Sequence, residues 1–329
     1  MRRFRHGVVL LASAAMVATA QTQAGAGVDA QTSSVWTGFV ANLPPAPSIV
    51  SIEGSFTVPA LSCPRFGTSA VSIWVGVGVA DPTSSSPRVG VTGTCQAGVP
   101  SYTAWTQWVD PTRPTRRDPI PYFTPEAGAT MHLNIDAMPF GHVLTEPVLV
   151  LPSGYREESY INMFPADVDT PPIKGASVGC VVERPRDASG PLPLANFGTI
   201  SWAMCSSWAQ YPTTTELFGL SSGREYDQYG NLEPGAGFVS DDVTMKTSDG
   251  KTLATSAFSR DAFYDPVDGG DTPERGGSFV VTWKASDSLL ERTQRLCRAQ
   301  LPVGGDTVCA IPGQPAVGGS IQHAIRPSG

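Results

Sequence analysis

Between Ser34 and Ala285 the chain carries almost no helix signal. Its apolar residues fall in short runs, several alternating with polar ones, and Pro or Gly clusters separate them. With 34 Gly and 30 Pro in 329 residues and only 16% charged side chains, this punctuation restricts the chain to many short strands joined by turns. Ile49 to Val58 alternates through Val50, Ile52, Phe56 and Val58 and stops at Pro59, as a half-buried strand does. Thr130–Ala137 and Val143–Leu151 alternate in the same way. Val71–Val79 is more continuously apolar, which predicts a central strand covered on both faces. Arg88–Thr94 and Tyr102–Val109 predict a hairpin centred near Gly98. Asp110–Phe123 reads as a Pro/Arg loop, and Gly237–Lys246 and Ser278–Lys284 close the β-rich part. The fold class expected is all-β.

The two ends read differently. The chain begins Met1-Arg2-Arg3-Phe4-Arg5 and continues apolar from Gly7 to Ala20, which is the pattern of a secretory signal peptide over residues 1–20. Loss of its three arginines takes the formal charge from −7 to −10. An acidic chain of this kind argues against nucleic-acid and anionic-membrane partners. Residues 21–33 read as a flexible lead-in and 34–285 as one β domain. In the 286–329 tail, Ser286-Asp287 would cap a helix carrying Leu289, Leu290, Leu296 and Leu301.

All six cysteines (63, 95, 180, 205, 297 and 309) follow the signal segment. An even count in an exported chain suggests up to three disulfides, with 15 connectivities open. The pairs favoured by spacing are Cys297–Cys309, a short interval in the tail, and Cys180–Cys205, which would flank one hairpin. No Cys-x-x-Cys spacing occurs, and neither a metal nor an organic cofactor is expected.

Few residues offer chemistry. Gly219-Leu220-Ser221-Ser222-Gly223 matches Gly-x-Ser-x-Gly, but that motif works on a strand–turn–helix of a parallel sheet, and here it reads as a loop. His132, His142 and His323 show no metal-binding spacing and read as surface or strand residues. Asp265, Asp268 and Asp271 read as a solvated acidic turn, since their spacing does not fit a calcium loop. Glu183 stands apart. It ends the apolar run Val178, Cys180, Val181, Val182, where a carboxylate is costly unless something uses it or pairs with it. On residues alone, pairing with Arg184 or Arg186 is the plainer reading, and the tryptophans would be core anchors.

Several stretches, taken together, resemble the glutamic peptidases, or eqolisins. They are Ser34-Val35-Trp36-Thr37-Gly38, Gly54-Ser55-Phe56-Thr57-Val58-Pro59 and Trp74-Val75-Gly76. They continue with Cys95-x-x-Gly98-x-Pro100-x-Tyr102-x-Ala104-Trp105, then Val182-Glu183 followed by Ala195-Asn196-Phe197-Gly198-Thr199. The resemblance covers roughly residues 33–285. It implies a sandwich of two antiparallel sheets, concanavalin-like or jelly-roll-like, agreeing with the strand pattern. It also implies a secreted, acid-acting endopeptidase with a peptide or protein substrate, expected to be a monomer. In such a mechanism a glutamate activates water, and a glutamine amide orients that water and stabilises the oxyanion. Glu183 falls at the glutamate position.

At the glutamine position this chain reads Val91-Thr92-Gly93-Thr94; a second alignment would place Gln96 there but leaves too few residues before Ala104-Trp105. With the hairpin centred on Gly98, Val91 would pair with Trp105, and Gln107 would share the face of Trp105. Gln107 is therefore the substitute amide this reading offers, and Trp36 and Trp105 are the expected cleft walls. The alternative is a catalytically inactive homologue whose aromatic groove binds peptide or glycan.

Overall fold

The structure, a computed structural model, describes residues 27–43, 49–80, 85–111, 116–137, 143–163, 177–188, 190–210, 215–219, 224–227, 239–258 and 278–285. The signal segment, the tail helix, Cys297–Cys309, the acidic turn at 265–271, Ser221, His142 and His323 lie outside them.

The described residues form strands and no helix. In chain order the first are β1 (Gly27–Ser33), β2 (Trp36–Asn42), β3 (Ile49–Thr57), β4 (Thr68–Val77), β5 (Ser86–Gln96), β6 (Val99–Val109) and β7 (Arg117–Pro119). Then come β8 (Thr130–Ala137), β9 (Val143–Thr145), β10 (Val148–Val150), β11 (Arg156–Glu158), β12 (Ile161–Met163) and β13 (Ser177–Glu183). After a two-stranded ribbon of β14 (Arg186–Asp187) and β15 (Gly190–Pro191) follow β16 (Thr199–Gln210), β17 (Thr215–Gly219) and β18 (Arg224–Asp227). The last are β19 (Val239–Lys246), β20 (Thr252–Phe258) and β21 (Phe279–Trp283).

Hydrogen-bonded neighbours sort these into two layers. One runs β1-β19-β2-β13-β4-β5-β6-β7. The other is centred on β16, β3 and β8, with β17 and β10 beyond them. The pair β20–β21 joins them at one side, bonding to β19 and to β16. The expected all-β sandwich is thus present. All the described pairings between its strands are antiparallel except β1 with β19.

Two-residue alternation fills the space between the layers. Ile52 and Phe56 of β3, Met131, Leu133 and Ile135 of β8, and Val178, Cys180 and Val182 of β13 all belong to one buried cluster. A chain of aromatic contacts crosses it: Phe39 meets Phe279 at 4.8 Å, Phe279 stacks on Trp202 at 5.7 Å, and Trp202 meets Phe56 at 4.9 Å. Such offset and edge contacts stabilise beyond the area they bury. β4 is covered on both faces, as its unbroken apolar run predicts: Ile73 and Val75 face this core, whereas Trp74 faces a second, smaller cluster with Val40, Trp105 and Val181.

Three details differ from expectation. Residues 27–33 are not part of a loose lead-in but form β1, paired with β19 from Gly27↔Val239 to Ser33↔Met245. An edge strand can be held by its main-chain hydrogen bonds alone, which a polar composition does not reveal. Cys180 and Cys205 are bonded, as spacing suggested, but they do not flank a hairpin. Their strands, β13 and β16, lie in opposite layers, so the bridge ties the layers through the core. β16 carries a bulge between Ala203 and Ser206, an irregularity that re-aims side chains where it occurs, and Cys205 lies within it. The second described disulfide is Cys63–Cys95, a pair spacing did not single out.

Finally, the β5–β6 turn is the two-residue Ala97-Gly98, both at positive φ (49° and 88°), as the primed hairpin turns require. The hairpin centre falls between these residues rather than on Gly98. Val91 consequently pairs with Ala104, and Trp105 with Gly90.

Candidate functional site

On the outer side of the first layer, away from the core, three rows of side chains cross the strands. Glu183 of β13, Ser72 of β4, Thr92 of β5 and Thr103 of β6 form the first. Val181, Trp74, Gly90 and Trp105 form the second, and Arg88, Gln107 and Arg117 belong to the third. These rows follow directly from pleating, since residues two apart on a strand share a face.

Gly90 makes the second row possible. A Cβ there would lie 2.4 Å from the Ile73 carbonyl oxygen, 2.5 Å from the Trp74 Cβ and 3.0 Å from the Trp105 ring. Its absence lets the two indoles converge over β5. Each ring is then covered by an arginine from the third row: Arg88 lies 4.4 Å above Trp74 and Arg117 lies 4.2 Å above Trp105. These are cation–π contacts, which gain strength where water is excluded.

The indole nitrogens and Arg117 organise the first row. Trp74 Nε1 donates to Glu183 Oε2 at 2.8 Å, and Arg117 Nη2 donates to the same oxygen at 2.9 Å. Arg117 Nη1 donates to Ser72 Oγ at 2.6 Å and to Thr92 Oγ1 at 3.1 Å. Trp105 Nε1 also donates to Thr92 Oγ1, at 2.8 Å. The Glu183–Arg117 ion pair is only partly covered, its side chains being 16% and 24% exposed. Burial lowers the basicity of both Arg88 and Arg117, and the Glu183 charge acts in the opposite direction on each. Beside this constellation an open cleft of about 530 Å³ is lined by Trp36, Val40, Val79, Arg88, Asp241 and Val243, among others. Glu183 does not line it, although its backbone pairs with Trp36.

The residues singled out from sequence therefore occupy distinct places. Glu183 lies at the centre. Its ion pair is with Arg117, far away in sequence, while its neighbour Arg184 turns to the carbonyls of Leu192 and Ser34. Trp36 is half-buried at the cleft. Trp105 is 2% exposed and lies beneath Arg117, a platform more than a wall. Gln107 shares the face of Trp105, as expected, but is buried two rows from Glu183, opposite Arg88 and Arg117. Val91 points into the sandwich core, and Thr92 takes the site face in its stead. Ala195 and Phe197 are likewise core residues, anchored where Leu194 bridges to Ala70.

Sequence reasoning missed Arg117, Ser72 and Thr92. The alternation of Ser72 with Trp74 could have placed one of them, but nothing in a Pro/Arg loop distinguishes Arg117 from Arg116. Elsewhere, His132 is buried in β8 with its Nδ1 2.9 Å from Ser55 Oγ. Among the described residues no cluster of three or more His, Cys, Asp or Glu could hold a metal ion.

Comparison with known proteins agrees with this architecture. Solved structures similar to it include scytalido-glutamic peptidase with a transition-state analogue inhibitor. That match has a TM-score of 0.50 and 12% identity and covers 77% of this chain and 100% of that one. Another is aspergilloglutamic peptidase from Aspergillus niger, at a TM-score of 0.42 and 16% identity over 66% of this chain and 99% of that one. At such identities the first likeness bears on fold alone. No curated protein matches. The model of the Peptidase A4 family matches residues 34–217, more than half of the chain and a span that includes Trp36, Trp74, Arg117 and Glu183. The chain thus belongs to the Peptidase A4 family, the glutamic peptidases.

Proposed function

We propose that this protein is a secreted glutamic-type endopeptidase acting in acid, with Glu183 as the general base. The observation that carries the reading is the unequal use of the two carboxylate oxygens. Oε2 accepts hydrogen bonds from Trp74 and Arg117, while Oε1 accepts none from the described residues. One oxygen is held in place, and the other is left for a water molecule.

In this mechanism Oε1 takes a proton from water as the water oxygen attacks the peptide carbonyl carbon. The carbonyl π pair moves to oxygen, and the protonated carboxyl then gives its proton to the departing amine nitrogen. A carboxyl that cycles a proton in this way suits an acidic medium. The cleft beside Trp36 offers apolar wall to substrate side chains, and the two disulfides fit an oxidising compartment. Gln107 is the amide that the sequence offers for the oxyanion; unchanged turnover in Gln107→Ala would remove it from the mechanism.

The test is cleavage of a protein substrate at several acid pH values by the parent chain and by Glu183→Gln. The expected loss is about 10²–10⁴ in kcat, the usual worth of a positioned base. Cleavage that survives the substitution rejects Glu183 as the base. A second reading, an inactive homologue that binds peptide or glycan, draws on the position of Val91 in the core. It gains if the parent chain binds peptide yet releases no products.

A further inference from the structure

We infer that Arg117 supplies the electrophile of this site, binding the oxyanion in the role a neutral amide fills in the resemblance discussed above. The inference rests on the reading of Glu183 as the base. Three observations support it: which donors are in use, how firmly the group is held, and where its charge lies.

A guanidinium carries five N–H donors in a rigid plane and stays protonated. Three of the five are engaged, by Ser72, Thr92 and Glu183. The second hydrogen of Nη2 and the hydrogen of Nε have no partner among the described residues. Because Nη2 is 2.9 Å from Glu183 Oε2, these two donors lie beside the carboxylate whose Oε1 would hold the water. A carbonyl attacked by that water develops its negative charge next to them.

The group is also fixed in advance. Its plane lies on Trp105, 4.2 Å from the ring centroid, and Nη1 is tied to hydroxyls on two different strands. Donors already oriented toward developing charge need no reorganisation during the reaction, and this is the main source of such stabilisation. Gln107 is less suited, being buried and two rows away.

The charge movement balances. Before attack the negative charge is on Glu183. As Oε1 accepts the proton, the carboxyl becomes neutral and the charge appears on the former carbonyl oxygen. Arg117 stays positive and compensates it in both states, so one cation follows the charge from enzyme to substrate and back. The Nη2 hydrogen on Oε2 serves the first state, and the two unengaged donors serve the second.

The experiment has a kinetic and a binding arm. Turnover of an internally quenched peptide is measured for the parent chain, Arg117→Gln, Arg117→Lys, Gln107→Ala and Glu183→Gln. Removing an oxyanion donor costs about 10²–10³ in kcat. Arg117→Gln is expected to show that loss with KM changed only a few-fold, and Arg117→Lys to recover part of it. The binding arm compares a phosphinic peptide, whose tetrahedral group carries a negative oxygen, with the neutral hydroxyethylene peptide of the same sequence, by calorimetry. The parent chain should prefer the phosphinate by about tenfold or more, and Arg117→Gln should bind the two alike. A phosphinate preference retained in Arg117→Gln, or an unchanged kcat, overturns the inference. So does a kcat that collapses in Gln107→Ala but not in Arg117→Gln. Should Arg117→Gln not fold, Arg117→Lys decides: it keeps the charge and must keep the preference. Failure of the general base would appear separately, as Glu183→Gln turning over normally.

Discussion

Glu183 is the one residue whose surroundings in sequence demand an explanation, because a carboxylate ending an apolar strand is costly unless it is paired or used. Its partners could not be read there. Trp74 reads as a core residue and is one by burial, but its indole nitrogen reaches Glu183 Oε2 at 2.8 Å. A hydrogen bond to a charged acceptor contributes about 1.5–3 kcal/mol. Trp74→Phe keeps the ring under Arg88 and removes that donor. It is expected to lower kcat by about 10- to 100-fold with little change in melting temperature, which steady-state kinetics and a thermal melt would check. A large drop in melting temperature with unchanged kcat would assign Trp74 to packing alone. Arg117 was illegible for another reason. Its side-chain hydrogen bonds are to β4, β5 and β13, none adjacent to it in sequence, and charge pairing at such separations leaves no local pattern.

The strand elements show how a single residue of register changes a site. The β5–β6 hairpin was legible from Gly98 and the flanking alternation. Its two-residue turn sets Val91 opposite Ala104, not Trp105. A one-residue slip exchanges which partners meet across a ladder, so the face of Gln107 was foreseen while its level was not. Gly90 is the element-scale device that brings the two tryptophans together, and a methyl group there would meet the Ile73 carbonyl oxygen 2.4 Å away. Gly90→Ala is therefore expected to destabilise the fold by about 1–3 kcal/mol, the usual cost of overpacking. Urea unfolding measures it, and stability equal to that of the parent would show that β4 and β5 can separate more easily than their contacts suggest. The Cys180–Cys205 bridge makes a related point. Spacing suggested the pair, but only the layering shows that it joins β13 to β16 across the core.

At the scale of the molecule, two layers joined by β20 and β21 leave one face of the first layer free to form the site. One half-buried acid, Asp242 on the opposite face of that layer, where its backbone pairs with the core residue Phe39, couples the fold to pH. Burial holds the Asp242 carboxyl above its ordinary value of 3.8, and a hydrogen bond from Ser256 opposes the shift in part. A carboxyl with a raised value in the fold keeps its proton longer than in the unfolded chain. Its contribution favours the folded state most at low pH and is lost as pH rises from 3.8 through the raised value. Asp242→Asn removes that dependence. Relative to the parent, the variant's melting temperature should improve as pH rises through this range, and parallel melting curves from pH 3 to 7 would count against the assignment.

The amino-acid order alone determined the all-β class, most strand positions, the family likeness and the placing of an acid, Glu183, at the end of an apolar strand. All of these rest on local periodicity, turn chemistry and short motifs, which neighbouring residues impose on one another. Tertiary structure alone decided which groups meet Glu183, that Val91 faces the core while Thr92 faces the site, and that β1 pairs at an edge. Each of those outcomes depends on strand order and register. These are set by how the whole chain buries its apolar faces, and the same local pattern is compatible with more than one such arrangement.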